Sequence, residues 1–128
     1  MSRRGAPLLF LALVGAAVVA ACGGGAPASA PPPPAGAVTV EVKEYQFTPA
    51  TLSVAAGDVT YYVRNVGTQE HEFEIFKGDQ VVTEIEGLVP GLAKNLTVKL
   101  EAGDYTYVCK INGHDQLGMK GTLTVTGG

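Results

Sequence analysis

From Val38 onward, apolar and polar residues alternate with a period of two, and glycine, aspartate, asparagine and proline interrupt the alternation. This period is typical of β-strands with one buried face, and no stretch has a convincing helical period. Short strands separated by closely spaced turn signals favour an all-β sandwich or barrel. The predicted strands are Val38–Lys43, Thr51–Val54, Val59–Asn65, His71–Phe76, Val81–Ile85, Ala93–Leu100, Gly103–Cys109 and Gly121–Thr126.

Two of these strands have chemically reactive residues at their ends. His71 shares a strand face with Phe73 and Ile75, which must belong to the core, so we expect its imidazole to point inward. Cys109 shares a face with two tyrosines, whereas a threonine and a valine form the opposite face of its strand. The alternation therefore leaves open which face of that strand is interior.

The first 37 residues differ in character, with almost no charge and a dense run of alanine, glycine and proline. Arg3 and Arg4 followed by the apolar run Leu8–Ala21 indicate an export signal over residues 1–21. That run has 14 residues, and a membrane-spanning helix needs roughly 20. The small residues before Cys22 resemble the bacterial lipoprotein signal, in which the cysteine is lipidated and becomes the new N-terminus. An ordinary secretory signal cleaved nearby is the alternative, and it leaves Cys22 as a spare thiol.

Residues 22–37 are rich in glycine and proline and are predicted to be a tether. They precede the single predicted domain, residues 38–128. We therefore expect an exported protein of the bacterial cell envelope, held by lipid on the periplasmic or extracytoplasmic face of a membrane.

The charge of the domain restricts its partners. Without Arg3 and Arg4 the chain has 7 basic and 12 acidic residues, a formal charge of −5. A nucleic-acid partner calls for a basic face and is not expected. The charge suits a basic redox partner, although a solvated acidic surface is the commoner explanation. We expect a monomer.

Cys109 is alone in the domain if Cys22 is lipidated, and an unpaired thiol outside the cytoplasm pairs with another chain, is buried, or binds a ligand. His114 and Met119 follow it at five-residue steps, each directly after a glycine. Two imidazoles, one thiolate and a weak axial thioether form the trigonal site of blue-copper electron-transfer proteins. The second imidazole must come from another strand, and His71 is the only histidine left.

Each of these four residues also has an ordinary structural explanation. Cys109 alone is compatible with a buried thiol, His114 with a turn residue, Met119 with core filling and His71 with a strand-end histidine. Together these explanations require both histidines and the remaining cysteine to fall into the pattern by chance. The pattern therefore predicts one bound copper ion per chain.

The domain resembles the cupredoxins, the family of plastocyanin, pseudoazurin, amicyanin and azurin. The stretch NVGTQEHEFEI is similar to the segment with the first histidine ligand, YVCKINGHDQLGMKGTLTV to the C-terminal ligand loop, and YQFTPATLSVAAGD to the N-terminal hairpin. The resemblance covers residues 38–126 and implies a Greek-key β-sandwich or barrel of about seven or eight strands. It implies His71, Cys109 and His114 as equatorial copper ligands and Met119 as the long axial ligand.

The sequence departs from the family pattern at two places. The gap between its cysteine and second histidine is longer than in plastocyanin-like proteins and closer to that of azurin. The reduction potential and the exact spectrum of the site therefore remain open. Glu72 and Lys110 occupy the places where family members often have an asparagine and a serine or threonine, whose hydrogen bond ties the two ligand loops. We expect an ion pair between Glu72 and Lys110 to replace that tie.

The resemblance implies electron transfer through a solvent-exposed edge of His114. Val89, Pro90 and Leu117 are expected in an apolar docking patch around it, although ordinary loop packing explains Pro90 and Leu117 equally well. Weak redox encounters use small interfaces, which suits such a patch.

Other functions fit the sequence less well. A copper carrier or storage protein can use the same ligands, but a buried thiolate site exchanges metal slowly. An enzyme is not expected, because copper oxidases and nitrite reductases need a second copper site and no histidine remains to build one. The binuclear centre of cytochrome oxidase needs two cysteines in one loop. The intact ligand set argues against a metal-free interaction module.

Overall fold

The structure is a computed structural model that describes residues 30–127. The predicted export signal and the lipidation of Cys22 fall on residues outside this range. Between residues 30 and 127, no helix has the length and apolar character needed to cross a membrane. The same range contains nine strands and one 3₁₀ helix, Ile111–Leu117. The strands are β1 Val38–Lys43, β2 Gln46–Thr48, β3 Thr51–Ala55, β4 Gly57–Asn65, β5 His71–Lys77, β6 Gln80–Leu88, β7 Ala93–Leu100, β8 Gly103–Val108 and β9 Lys120–Thr126.

The strands form two sheets that pack as a sandwich. One sheet has the order β2-β1-β4-β7, and the other has the order β3-β9-β8-β5-β6. Strand β1 pairs in parallel with β4, and β3 pairs in parallel with β9, whereas the other neighbours are antiparallel. The predicted all-β sandwich is confirmed. A short ninth strand, β2, was not predicted because three residues are too few for an alternation to be read.

The interior is formed by alternate residues of the two sheets. Phe73 on β5 is fully buried, with ring centroids 5.5 Å from those of Tyr61 and Tyr107 and 5.9 Å from that of Phe47. His71, Phe73 and Ile75 all point inward from β5, as predicted. On β8 the open question is settled, because the face with the two tyrosines and Cys109 points inward and Thr106 is exposed.

Two buried tyrosines differ in what their hydroxyl groups contact. Tyr107 donates a hydrogen bond to the carbonyl of Pro49 at 2.7 Å. The hydroxyl of Tyr61 is buried without a hydrogen-bond partner in the described part of the chain. Burial raises the pKa of both phenols to about 12, so both stay protonated at neutral pH.

We expect these two hydroxyl groups to contribute differently to stability. Tyr107→Phe should lower the free energy of unfolding by about 1 kcal/mol, because the Pro49 carbonyl loses its donor. Tyr61→Phe should leave the free energy of unfolding unchanged or raise it, because an unpaired buried hydroxyl disappears. Urea unfolding of the metal-free protein measures both, and equal losses for the two variants would contradict the assignment.

Candidate metal centre

The pairing of β5 with β8 determines where the candidate site lies. Glu74 is opposite Val108, and Ile75 is opposite Tyr107, in an antiparallel register. The beginning of β5 and the end of β8 therefore lie at the same edge of their sheet. His71 is the first residue of β5, and Cys109 directly follows β8.

The loop after Cys109 brings the chain back toward the cysteine. Its 3₁₀ helix contains Asn112 and Gly113 with left-handed backbone angles, φ 50° and 73°, and Gly118 follows with φ 97°. Glycine adopts this conformation without a steric penalty, and asparagine tolerates it better than most residues. These reversals make the loop compact and place His114 on its buried side.

Backbone hydrogen bonds connect the three predicted ligands of this loop. The amide of Cys109 donates to the carbonyl of Met119 at 3.2 Å, and the amide of Met119 donates to the carbonyl of His114 at 3.1 Å. Met119 is fully buried. The positions of Cys109, His114 and Met119 relative to one another are thus fixed by the main chain.

The donor atoms of His71, Cys109 and His114 converge within 4.8 Å of one another. The Cys109 Sγ lies 3.5 Å from the His114 Nδ1 and 3.9 Å from the His71 Nδ1. Nitrogen and sulfur ligands in a plane at roughly 2.0 and 2.3 Å from a first-row metal ion lie roughly 3.7 Å apart. The spacing and the donor set therefore fit a trigonal copper site completed by a buried methionine.

The surroundings set the protonation of the donor groups. Burial raises the pKa of the Cys109 thiol, while hydrogen bonds from the amides of Glu72 and Ile111 act in the opposite direction. The Glu72 amide lies 3.2 Å from the sulfur. Burial lowers the pKa of His71, which favours the neutral imidazole that a metal requires.

Glu44, in the turn between β1 and β2, contacts the site from the other sheet. Its Oε1 lies 3.2 Å from the Nε2 of His71 and accepts hydrogen bonds from the amides of Thr68 and Gln69 at 2.7 and 2.6 Å. The pKa of Glu44 is lowered to about 2, first by its own backbone amide and then by those of Gln69 and Thr68, against the effect of burial. Sequence reasoning missed Glu44, which is 27 residues from His71 in the chain.

Asn65 is a second residue that sequence reasoning missed. Its side chain is fully buried and donates from Nδ2 to the carbonyls of Gln69 and Leu88 at 2.7 and 2.6 Å. Its Oδ1 accepts a hydrogen bond from the amide of Gly67 at 2.8 Å. It therefore holds together the loop before His71 and the end of β6. A polar residue at the inward-facing end of a predicted strand was the available signal.

The predicted ion pair between Glu72 and Lys110 is not formed. The Lys110 ammonium lies over the ring of Phe76, 4.7 Å from its centroid. In residues 30–127, the one contact at ion-pair distance joins Glu44 and His71. The tie between the two ligand loops is instead the hydrogen bond from the Glu72 main chain to the Cys109 sulfur.

The expectation of a solvent-exposed His114 edge is also wrong. Its side chain is only 2% exposed, and the ring of Tyr45 packs edge-on against it at a centroid distance of 4.9 Å. Apolar side chains are nevertheless exposed in the loops, including Leu117 at 58% and Val89 at 47%. Pro90 is exposed as well.

A two-sheet β-sandwich with a buried His-Cys-His group and a methionine in the same loop has the arrangement of a blue-copper protein. The sequence matches the family described as "Cupredoxin-like domain" over residues 9–125. The chain therefore belongs to the cupredoxin-like domain family.

Two solved structures illustrate the likeness in fold. Reduced auracyanin from the photosynthetic bacterium Roseiflexus castenholzii superimposes with a TM-score of 0.66 at 20% identity, over 71% of this chain and 97% of that one. Auracyanin A, a "blue" copper protein from Chloroflexus aurantiacus, gives a TM-score of 0.60 at 23% identity, over 71% of this chain and all of that one.

Among curated proteins, the iron uptake system component EfeO of Yersinia pestis is 38% identical over 89 residues. The match covers 70% of this chain and 23% of the relative. The chain thus spans about a quarter of the length of the curated relatives it matches.

We expect Asn65 to be essential for the stability of the site. Asn65→Ala should lower the free energy of unfolding of the metal-free protein by about 3 kcal/mol, because three hydrogen bonds are lost and the buried carbonyl of Leu88 loses its donor. Asn95, exposed on β7, is the matched control, and Asn95→Ala should change stability by less than about 0.5 kcal/mol. Similar urea midpoints for the two variants would show that the Asn65 contacts contribute little.

Proposed function

We propose that this protein is a mononuclear type 1 copper electron carrier that works at a membrane surface. The observation that carries the proposal is the convergence of three buried donor atoms, the Nδ1 atoms of His71 and His114 and the Sγ of Cys109, within 4.8 Å. When bound, copper supplies a one-electron couple between Cu(I) and Cu(II). The protein supplies the ligands and their fixed positions.

The rigidity of the ligand set supports electron transfer. His71 is held at the start of β5, while Cys109, His114 and Met119 are linked by main-chain hydrogen bonds. Ligands that keep their positions in both oxidation states keep the reorganisation energy of electron transfer small. The burial of the donors also slows the loss of the metal, which a carrier of electrons must retain.

The small number of histidines argues against an enzyme with a second copper centre. The sequence contains two histidines, and the candidate site uses both. In the described residues, the only group of metal-binding side chains of this kind is His71, Cys109 and His114.

A docking surface and an anchor complete the proposal. The exposed apolar residues Val89, Pro90 and Leu117 suit brief contact with a redox partner, and the formal charge of −5 outside the export signal suits a basic one. We further propose that Cys22 carries the lipid and that the protein acts as a monomer in the bacterial cell envelope.

A role in metal handling is the second candidate function. It is favoured by the 38% identity to EfeO, whose name describes an iron uptake system component. In that role the same ligands hold copper as a carrier or store, and the protein acts beside a metal uptake system.

The two cysteines give a reciprocal test of the metal site and the anchor. Cu(II) loading of the wild-type protein should produce an intense visible thiolate charge-transfer band, and Cys109→Ser should abolish it. Cys22→Ser should keep the band but move the protein from the membrane fraction to the soluble fraction, whereas Cys109→Ser should stay with the membrane. A band that survives Cys109→Ser would overturn the copper assignment.

An electron-transfer protein and a copper carrier should differ in how fast they release copper to a chelator and in the reversibility of their redox couple. For an electron carrier, voltammetry of the copper-loaded protein should show a reversible one-electron couple, and a Cu(I) chelator should remove the metal only over hours. Rapid transfer of copper to the chelator together with an irreversible couple would favour the metal-handling function instead.

A further inference from the structure

The Glu44 carboxylate is an acidic group placed against a candidate metal ligand. Its Oε1 lies 3.2 Å from the Nε2 of His71, and that imidazole is fully buried. The same oxygen accepts hydrogen bonds from the amides of Thr68 and Gln69, so three groups hold the carboxylate: these two amides and the imidazole. The loop just before His71 and the imidazole itself are therefore positioned by one side chain.

The two nitrogens of His71 have different environments. Nδ1 faces the Cys109 sulfur at 3.9 Å, and Nε2 faces the carboxylate. An ionised carboxylate only accepts hydrogen bonds, so Nε2 must carry the proton of the neutral imidazole. The free lone pair is then on Nδ1, the atom that faces the candidate metal position.

We propose that Glu44 is a positioning residue of the metal centre that fixes the Nε2–H tautomer of His71 and makes the site favour Cu(II) over Cu(I). The second part rests on the proposed function. A carboxylate hydrogen-bonded to a ligating imidazole increases its basicity and adds negative charge near the metal, which stabilises the more highly charged ion. The couple Cu(II) + e⁻ → Cu(I) leaves the protonation states of His71 and Glu44 unchanged.

Gly67 provides an independent way to disturb this contact. A Cβ atom added at Gly67 would lie 2.6 and 2.7 Å from the two carboxylate oxygens of Glu44. The backbone of Gly67 has no positive φ, so alanine is accommodated by moving the carboxylate rather than the main chain. Gly67→Ala should therefore displace Glu44 from His71 while leaving the glutamate in the sequence.

The tautomer is measured first, in the metal-free full-length protein. The ¹⁵N NMR shifts of the His71 ring should show Nε2–H in the wild type and in Glu44→Gln, whose amide oxygen can still accept the hydrogen bond. Gly67→Ala and Glu44→Ala should show a mixture of tautomers. An unchanged tautomer in both of these variants would overturn the positioning role.

The reduction potential of the copper-loaded protein tests the electrostatic role. Glu44→Gln keeps the shape and the acceptor but removes the charge, so the ratio of Cu(II) to Cu(I) affinity should fall about tenfold, a rise in potential of about 59 mV. Gly67→Ala should change the potential in the same direction. A purely structural residue would weaken the binding of both ions equally and leave the potential unchanged.

Glu70 is the matched control for removal of a nearby charge. It is exposed and directly precedes His71. Glu70→Gln should change the affinity ratio less than threefold. Equal changes for Glu70→Gln and Glu44→Gln would overturn the specific role of Glu44. A wild-type protein that gives no copper couple would overturn the proposed function together with the Cu(II) preference, and the tautomer would then decide the positioning role alone.

Discussion

The antiparallel pairing of β5 with β8 is the constraint on which the candidate metal centre depends. It places the first residue of β5, His71, beside the residue that follows β8, Cys109. The two are 38 residues apart in the chain, and their donor atoms lie 3.9 Å apart. The amide of Glu72 donates to the Cys109 sulfur across the same pair of strands. A shift of the register by one residue would turn His71 to the outer face and dismantle the site.

The core behind the site preserves this register. Phe73 and Ile75 follow His71 on the inner face of β5, and Tyr105 and Tyr107 precede Cys109 on the inner face of β8. A shift of the pairing by one residue would turn these side chains outward, so the hydrophobic core and the ligand geometry both oppose that shift. Two of the candidate ligands, His71 and Cys109, therefore continue the core faces of β5 and β8.

The inward orientation of His71 could be predicted from the sequence, since the period of two places it on the same strand face as Phe73 and Ile75. The face of Cys109 remained open because Val108 on one side of β8 is as apolar as Tyr107 on the other, and both are buried. The contact of Glu44 with His71 could not be predicted, because it joins a turn of one sheet to a strand of the other and follows no local spacing. An ion pair between Lys110 and Glu72 was expected because they occupy the family positions whose hydrogen bond ties the two ligand loops, whereas in the structure Lys110 packs on Phe76.

Glu44 and its neighbour Tyr45 connect the centre to the second sheet. Glu44 contacts the imidazole of His71, and Tyr45 packs against that of His114, so one turn covers both histidines. The turn belongs to the sheet of β1 and β2, while the ligands belong to or follow strands of the other sheet. The two histidines are therefore covered in this way only when the two sheets are packed against each other. A metal ion that binds this geometry and not the unfolded chain stabilises the whole domain, and weakening the contact between the sheets weakens metal binding in turn.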